Sequence, residues 1–154
     1  MKKLLLTAVV ALSTLVASAQ FMVVTTYDGD QEENADKLTT NMGVGYVVSD
    51  AFTVGLAKGA DVLTAADAVA GTVADTADGY SVWARYNLSM MEGAYVALDY
   101  PTENGSDNMK IGLGFSFNVW NGLHVEPNYM MPTSKDPVTD KREGQFNFGL
   151  SYRF

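Results

Sequence analysis

The stretch MKIGLGFSFNV, residues 109–119, decides how the chain is read. Its odd positions, Met109, Ile111, Leu113, Phe115, Phe117 and Val119, are large and apolar, while its even positions, Lys110, Gly112, Gly114, Ser116 and Asn118, are small or polar. Successive side chains of a strand point to opposite faces of a sheet, so a period of two gives one bulky apolar face and one lean polar face. The pattern returns at the end, in Phe146, Phe148, Leu150, Tyr152 and Phe154 against Gln145, Asn147, Gly149, Ser151 and Arg153. It appears earlier in residues 38–48, where Leu38, Thr40, Met42, Val44, Tyr46 and Val48 alternate with Thr39, Asn41, Gly43, Gly45 and Val47. Weaker copies occupy residues 52–58, 80–88, 94–100 and 123–131, and residues 21–27 are a further strand although Met22 and Val24 make both of its faces apolar. Pro127 falls inside one of these runs, where its missing donor marks an expected bulge.

The eight runs are joined by connections that alternate in length. Residues 28–37, 59–79, 101–108 and 132–144 are long, whereas 49–51, 89–93 and 120–122 are short, the last carrying the Asn121-Gly122 turn signal. All long loops therefore lie at one end of an antiparallel array and all tight turns at the other. The expected fold is all-β, an eight-stranded antiparallel up-and-down transmembrane β-barrel, since outer-membrane barrels combine short periplasmic turns with longer extracellular loops. Volume sets the orientation of the faces. An eight-stranded barrel has room inside only for modest side chains, so the bulky face must point outward and the Gly-rich face inward. A soluble sandwich could instead bury the bulky face between two sheets. Its outer face would then carry only Arg85, Asp99, Lys110, Glu126 and Arg153 as charges, too few for a surface facing water.

Composition agrees with this reading. The chain has 154 residues, no cysteine, 18 acidic against 10 basic side chains, and only 18% charged residues. The absence of cysteine excludes a disulfide scaffold, a Cys-based metal site and a thiol nucleophile. The net charge of −8 excludes the basic footprint that binding nucleic acid requires. At the N-terminus Lys2 and Lys3 precede an apolar run of residues 4–16 and the small residues Ala17, Ser18 and Ala19, the layout of a cleaved secretory signal peptide over 1–19. That run is too short for a spanning helix. Cleavage leaves 20–154 as one barrel domain with net charge −10. Tyr27, Tyr80, Tyr100 and Tyr129 fall at loop-side strand ends, and Phe21, Phe52, Phe117, Trp120, Tyr152 and Phe154 at turn-side ends, forming the two aromatic belts of a membrane barrel.

The last strand, QFNFGLSYRF, resembles the C-terminal assembly signal of bacterial outer-membrane barrel proteins, with Phe154 terminal and Tyr152 two residues before it. In size and pattern the chain is similar to the small eight-stranded barrels of the OmpA/OmpX and porin-like superfamily. The resemblance implies a bacterial outer-membrane location in contact with outer-membrane lipid, and recognition of Tyr152 and Phe154 by the barrel-assembly machinery. Members of that superfamily range from structural anchors and adhesins to narrow pores and one lipid acyltransferase, so class alone does not fix function.

The interior charges allow a sharper expectation. Antiparallel register across residues 101–108 sets Asp99 opposite Lys110 as an ion pair at the loop-side mouth. Arg85 and Glu126 each lie a few residues above the turn end on strands four and seven and can meet across the lumen. Buried charges must pair or touch water. Arg85, Asp99, Lys110 and Glu126, with Trp83 and Tyr95, are therefore expected to plug the lumen. No enzyme is expected: His124, the lone histidine, falls on the inner face near the turns and close to Glu126, and reads as a satisfied interior side chain. No phosphate loop, paired-His metal motif or nucleophile elbow is present, and no cofactor is implied. The first loop, rich in Asp and Glu, does not match a calcium loop at its glycine and terminal glutamate positions and reads as solvated surface charge. Residues 59–79 read either as a short helix, from Val62, Ala66, Val69 and Val73, or as an extension of the hairpin. The expected role is structural or surface-interactive through long acidic loops, as a monomer. A narrow porin-like channel is the alternative, and a lipid-modifying enzyme a more distant one.

Overall fold

The computed structural model of the chain describes residues 20–59, 62–63, 76–77, 79–103, 105–136 and 139–154. The signal peptide read over 1–19 lies outside the described residues. Among the described residues there are eleven strands: β1 (Phe21–Thr26), β2 (Gly43–Val47), β3 (Phe52–Lys58), β4 (Val62–Leu63), β5 (Thr76–Ala77), β6 (Tyr80–Asn87), β7 (Ala94–Pro101), β8 (Lys110–Phe115), β9 (Phe117–Trp120), β10 (Leu123–Pro132) and β11 (Gln145–Arg153). β4 and β5 pair only with each other, as an extension of the β3–β6 hairpin beyond the sheet. Of the two readings of residues 59–79, the hairpin extension is the one seen at its base.

The other nine form one antiparallel sheet in the order β11-β1-β2-β3-β6-β7-β8-β10, with β9 also paired to β10. β8 and β9 are two halves of one stave, because both lie against β10. Closure comes from β11, which pairs with β10 on one side and with β1 on the other, with Leu123 opposite Tyr152 and Met22 opposite Arg153. The result is a closed eight-stave up-and-down barrel with tight turns and both ends of the described chain at one end, and long loops at the other. The Asn121-Gly122 turn has both residues at positive φ, 33° and 87°, the backbone a two-residue hairpin demands and the reason Asn-Gly is favoured there.

Two local expectations are corrected. The second strand begins at Gly43 rather than at residue 38, because Asp36–Thr39 forms a helical turn. The hydroxyls of Thr39 and Thr40 bond back to the carbonyls of Ala35 and Asp36 at 3.0 and 2.8 Å, a local alternative to the ladder that alternation does not reveal. Thr25 Oγ1 ties the same turn to β1 through the Leu38 carbonyl. The bulge expected at Pro127 is also absent. Val125 faces Phe117 and Asn128 faces Gly114, so the residue count is the same on both strands across the gap and nothing is inserted. The proline interrupts bonding on that side, splitting β8 from β9 at Ser116, while on the other side it stays paired with Phe148. The irregularity in this ladder falls instead between Leu123 and His124.

The distribution of apolar side chains is inverted relative to a water-soluble domain. Among the described residues the buried hydrophobic side chains are Met22, Trp83, Ala94 and Tyr95. The outward positions of every stave but β1, whose Phe21 and Val23 are half-buried, carry exposed large hydrophobics, including Val44, Leu56, Val82, Leu98, Leu113, Tyr129 and Phe148. The inner face is lean for a packing reason. A Cβ at Gly45 would come within 2.6 Å of the Trp83 ring, and Cβ atoms at Gly55 and Gly114 would overlap Trp83 and Tyr95 respectively. The glycines of the alternating pattern are the room into which the two interior aromatics fit.

Candidate functional site

The lumen is bridged by a charged cluster built from staves that are not neighbours. Arg85 projects inward from β6 and Glu126 from β10, with β7 and β8 between them in the sheet. Their contact therefore crosses the interior rather than running along the wall. Arg85 Nη1 donates to Glu126 Oε1 at 2.9 Å and Nη2 to Oε2 at 2.8 Å, a bidentate pair in which the glutamate is 2% exposed and the arginine 9%. The guanidinium lies 4.1 Å from the centroid of the Tyr95 ring and 5.6 Å from that of Trp83, so the aromatics hold the cation from the remaining sides.

Glu126 is the hub. Ser116 and Ser151 hydroxyls each donate to its Oε1 at 2.8 Å, and Arg153 Nη2 reaches the same oxygen at 3.5 Å and Ser116 Oγ at 3.0 Å. A carboxylate withdrawn from water is costly unless its lone pairs are met by donors, and here four side chains from β6, the β8–β9 junction and β11 supply them. The cluster thus ties β6, β10, β11 and the β8–β9 junction together around the interior.

Of the four residues expected to form the lumen network, Arg85 and Glu126 are brought together and Asp99 and Lys110 are not. Asp99 is opposite Lys110 in register, as counted from the loop, but among the described residues no ion pair joins them. Their place at the mouth is the physical reason: Lys110 is exposed and Asp99 half-buried, and a solvated pair gains too little to fix two side chains. Ser116, Ser151 and Arg153 belong to the cluster and were not singled out for it. Their sequence signal was the inner-face phase, shared with Glu126, but serine in that phase reads as filler.

His124 illustrates what the cluster can do chemically. Ser116 Oγ is 3.1 Å from His124 Nδ1, and Asn118 Nδ2 is 3.3 Å from Nε2. Since the Ser116 proton goes to Glu126, the consistent assignment has Nδ1–H donating to Ser116 and Nε2 accepting from Asn118. A nucleophile needs its proton drawn toward the base, with an acid orienting that base from behind. Here the acid holds the serine, and the imidazole is a donor to it, so the three groups are arranged as a structural knot.

At the turn end Tyr152 and Phe154 stand at the barrel seam. The Phe154 N–H donates to the Phe21 carbonyl at 3.1 Å, and the Tyr152 and Phe154 rings meet edge to face at 5.0 Å. At the loop end, Asp28 caps the first loop by accepting from the Gln31 amide at 3.0 Å and the Asp30 N–H at 3.1 Å, which hold its carboxyl below the usual aspartate range. Among the described residues no group of His, Asp and Glu is placed to hold a metal ion.

A scan against protein-family models found no match, and a search of curated proteins returned none. Among solved structures the chain is similar to the backbone structure of the Yersinia pestis outer membrane protein Ail in a phospholipid bilayer nanodisc. The two are 16% identical, with 89% of this chain and 100% of that chain covered and a TM-score of 0.44. The closure of the barrel is read from its own strand register.

Proposed function

We propose that this chain is an integral barrel of the bacterial outer membrane, exported through a cleaved signal peptide at 1–19, with a closed lumen and a structural or surface-interactive role. The single observation that carries the reading is the inverted distribution of apolar side chains, outward on every stave around a charged interior. Closed barrels satisfy all backbone groups without an edge, the condition for crossing hydrocarbon with strands. The exposed aromatics support two interfacial levels: Tyr27, Tyr80, Tyr100 and Tyr129 near the loops, and Phe52, Phe117, Trp120 and Tyr152 near the turns. The seam position of Tyr152 and Phe154 suits a strand read by assembly machinery when the barrel is closed.

The Arg85–Glu126 bridge and the rings of Trp83 and Tyr95 favour a plugged lumen over the narrow channel, and the Ser116–His124 arrangement favours a non-enzymatic role. The surface work then falls to the loops, whose first carries Asp28, Asp30, Glu32, Glu33 and Asp36 against Lys37. Conductance across planar bilayers tests the plug. Purified, refolded protein should give no steady large conductance, and a stable open level would overturn the plugged reading in favour of the channel.

A further inference from the structure

We propose that the turn-side half of the lumen binds a small monovalent inorganic anion, of the chloride class, against the guanidinium groups of Arg85 and Arg153. At this level of the barrel the inward side chains comprise two guanidiniums and one carboxylate, Glu126, with His124 held in a neutral hydrogen-bonding pattern. The other inward positions at the same level, Met22, Thr53, Tyr95, Asn118 and Ser151 among them, are uncharged. Arg85 and Arg153 share the single oxygen Oε1, at 2.9 and 3.5 Å, and the longer contact leaves Arg153 only partly compensated. Among the described residues, one unit of positive charge is thus left without a counter-charge inside the wall.

The hydrogen-bond inventory points the same way. Arg85 Nε, Arg153 Nε and Trp83 Nε1 are buried N–H donors with no acceptor among the described residues. Arg85 and Trp83 are themselves nine-tenths buried. All three are donors, and a surplus of donors beside a surplus of positive charge selects an anionic acceptor. A charge left uncompensated within a membrane-embedded wall is costly, and a counter-ion removes that cost. The Arg153 side chain is 34% exposed, so it is reached from the turn end of the barrel.

The proposal rests on the membrane-barrel reading above for the size of the penalty, and its test separates the two. Refolded barrel in uncharged detergent is titrated with sodium chloride, and the chloride NMR line width is read against micelles alone. Folding is checked by the shift in gel mobility between unheated and boiled samples. The expected result is excess broadening that saturates with chloride, is lost to the micelle baseline in Arg153→Gln, and is retained in Arg153→Lys. Arg85→Met, which leaves Arg153 and Glu126 as a neutral pair, should also lose it. A folded wild-type barrel without excess broadening, or broadening that persists in both Arg153→Gln and Arg85→Met, would overturn the anion site. A chain with no gel shift at all would instead count against the barrel reading.

Discussion

Replacing Glu126 by glutamine should destabilise the barrel more than replacing its main partner. Glutamine keeps the shape and one acceptor oxygen, so Ser116 and Ser151 can still donate, but Arg85 and Arg153 are left in the lumen with no carboxylate. One-sided removal of a buried ionic partner costs about 3–5 kcal/mol, and a charge-assisted hydrogen bond contributes about 1.5–3 kcal/mol. Glu126→Gln is therefore expected to cost about 4 kcal/mol. In Arg85→Met the carboxylate keeps both serines and gains a closer Arg153, which already lies 3.5 Å away, so the cost falls to about 2 kcal/mol. The double variant should cost less than the sum of the singles by about 2 kcal/mol, the signature of direct coupling. Equilibrium urea unfolding of the refolded protein in lipid vesicles, with unchanged denaturant slope, reads these values. Glu126→Gln costing under about 1 kcal/mol, or Arg85→Met costing the more of the two, would refute the hub assignment.

Other perturbations test the wall and its faces. Gly45→Ala places a methyl group within 2.6 Å of the Trp83 ring, so it should cost about 1–3 kcal/mol in the same unfolding assay, and Trp83→Leu in combination should recover most of that. Leu113→Arg, on the outward face at a position 62% exposed, should lower the folded, heat-modifiable fraction in vesicles by a penalty of about 2–4 kcal/mol. His124→Ala should leave the lipid profile of expressing cells unchanged, and an altered acylation pattern would revive the enzymatic reading.

How much of this was legible in the sequence follows from what each feature depends on. The staves and their faces depend on a two-residue period, which Ile111 to Phe117 and Phe146 to Phe154 display openly. The alternation runs past the start of the second strand because Thr39 and Thr40 continue it while their hydroxyls bond the backbone of a helical turn. The meeting of Arg85 with Glu126 was readable by counting up from the short turns. The part played by Ser116, Ser151 and Arg153 was not, because it depends on how the staves stagger on closure, which sets the height of each residue in the lumen and is not fixed by loop length. Asp99 and Lys110 show the converse: their register was readable, but solvation at the mouth decides whether a pair forms.

The central claim is that alternate residues of one stave meet hydrocarbon and lumen. Because the chain has no cysteine, single cysteines can be placed at Val96, Ala97, Leu98 and Asp99 of β7 and labelled with a nitroxide in lipid vesicles. Accessibility to oxygen, which concentrates in hydrocarbon, should be high at positions 96 and 98 and low at 97, with position 99 open to a water-soluble quencher at the mouth. Equal accessibility along the stave, or oxygen access at 97 instead of 96 and 98, would contradict the account.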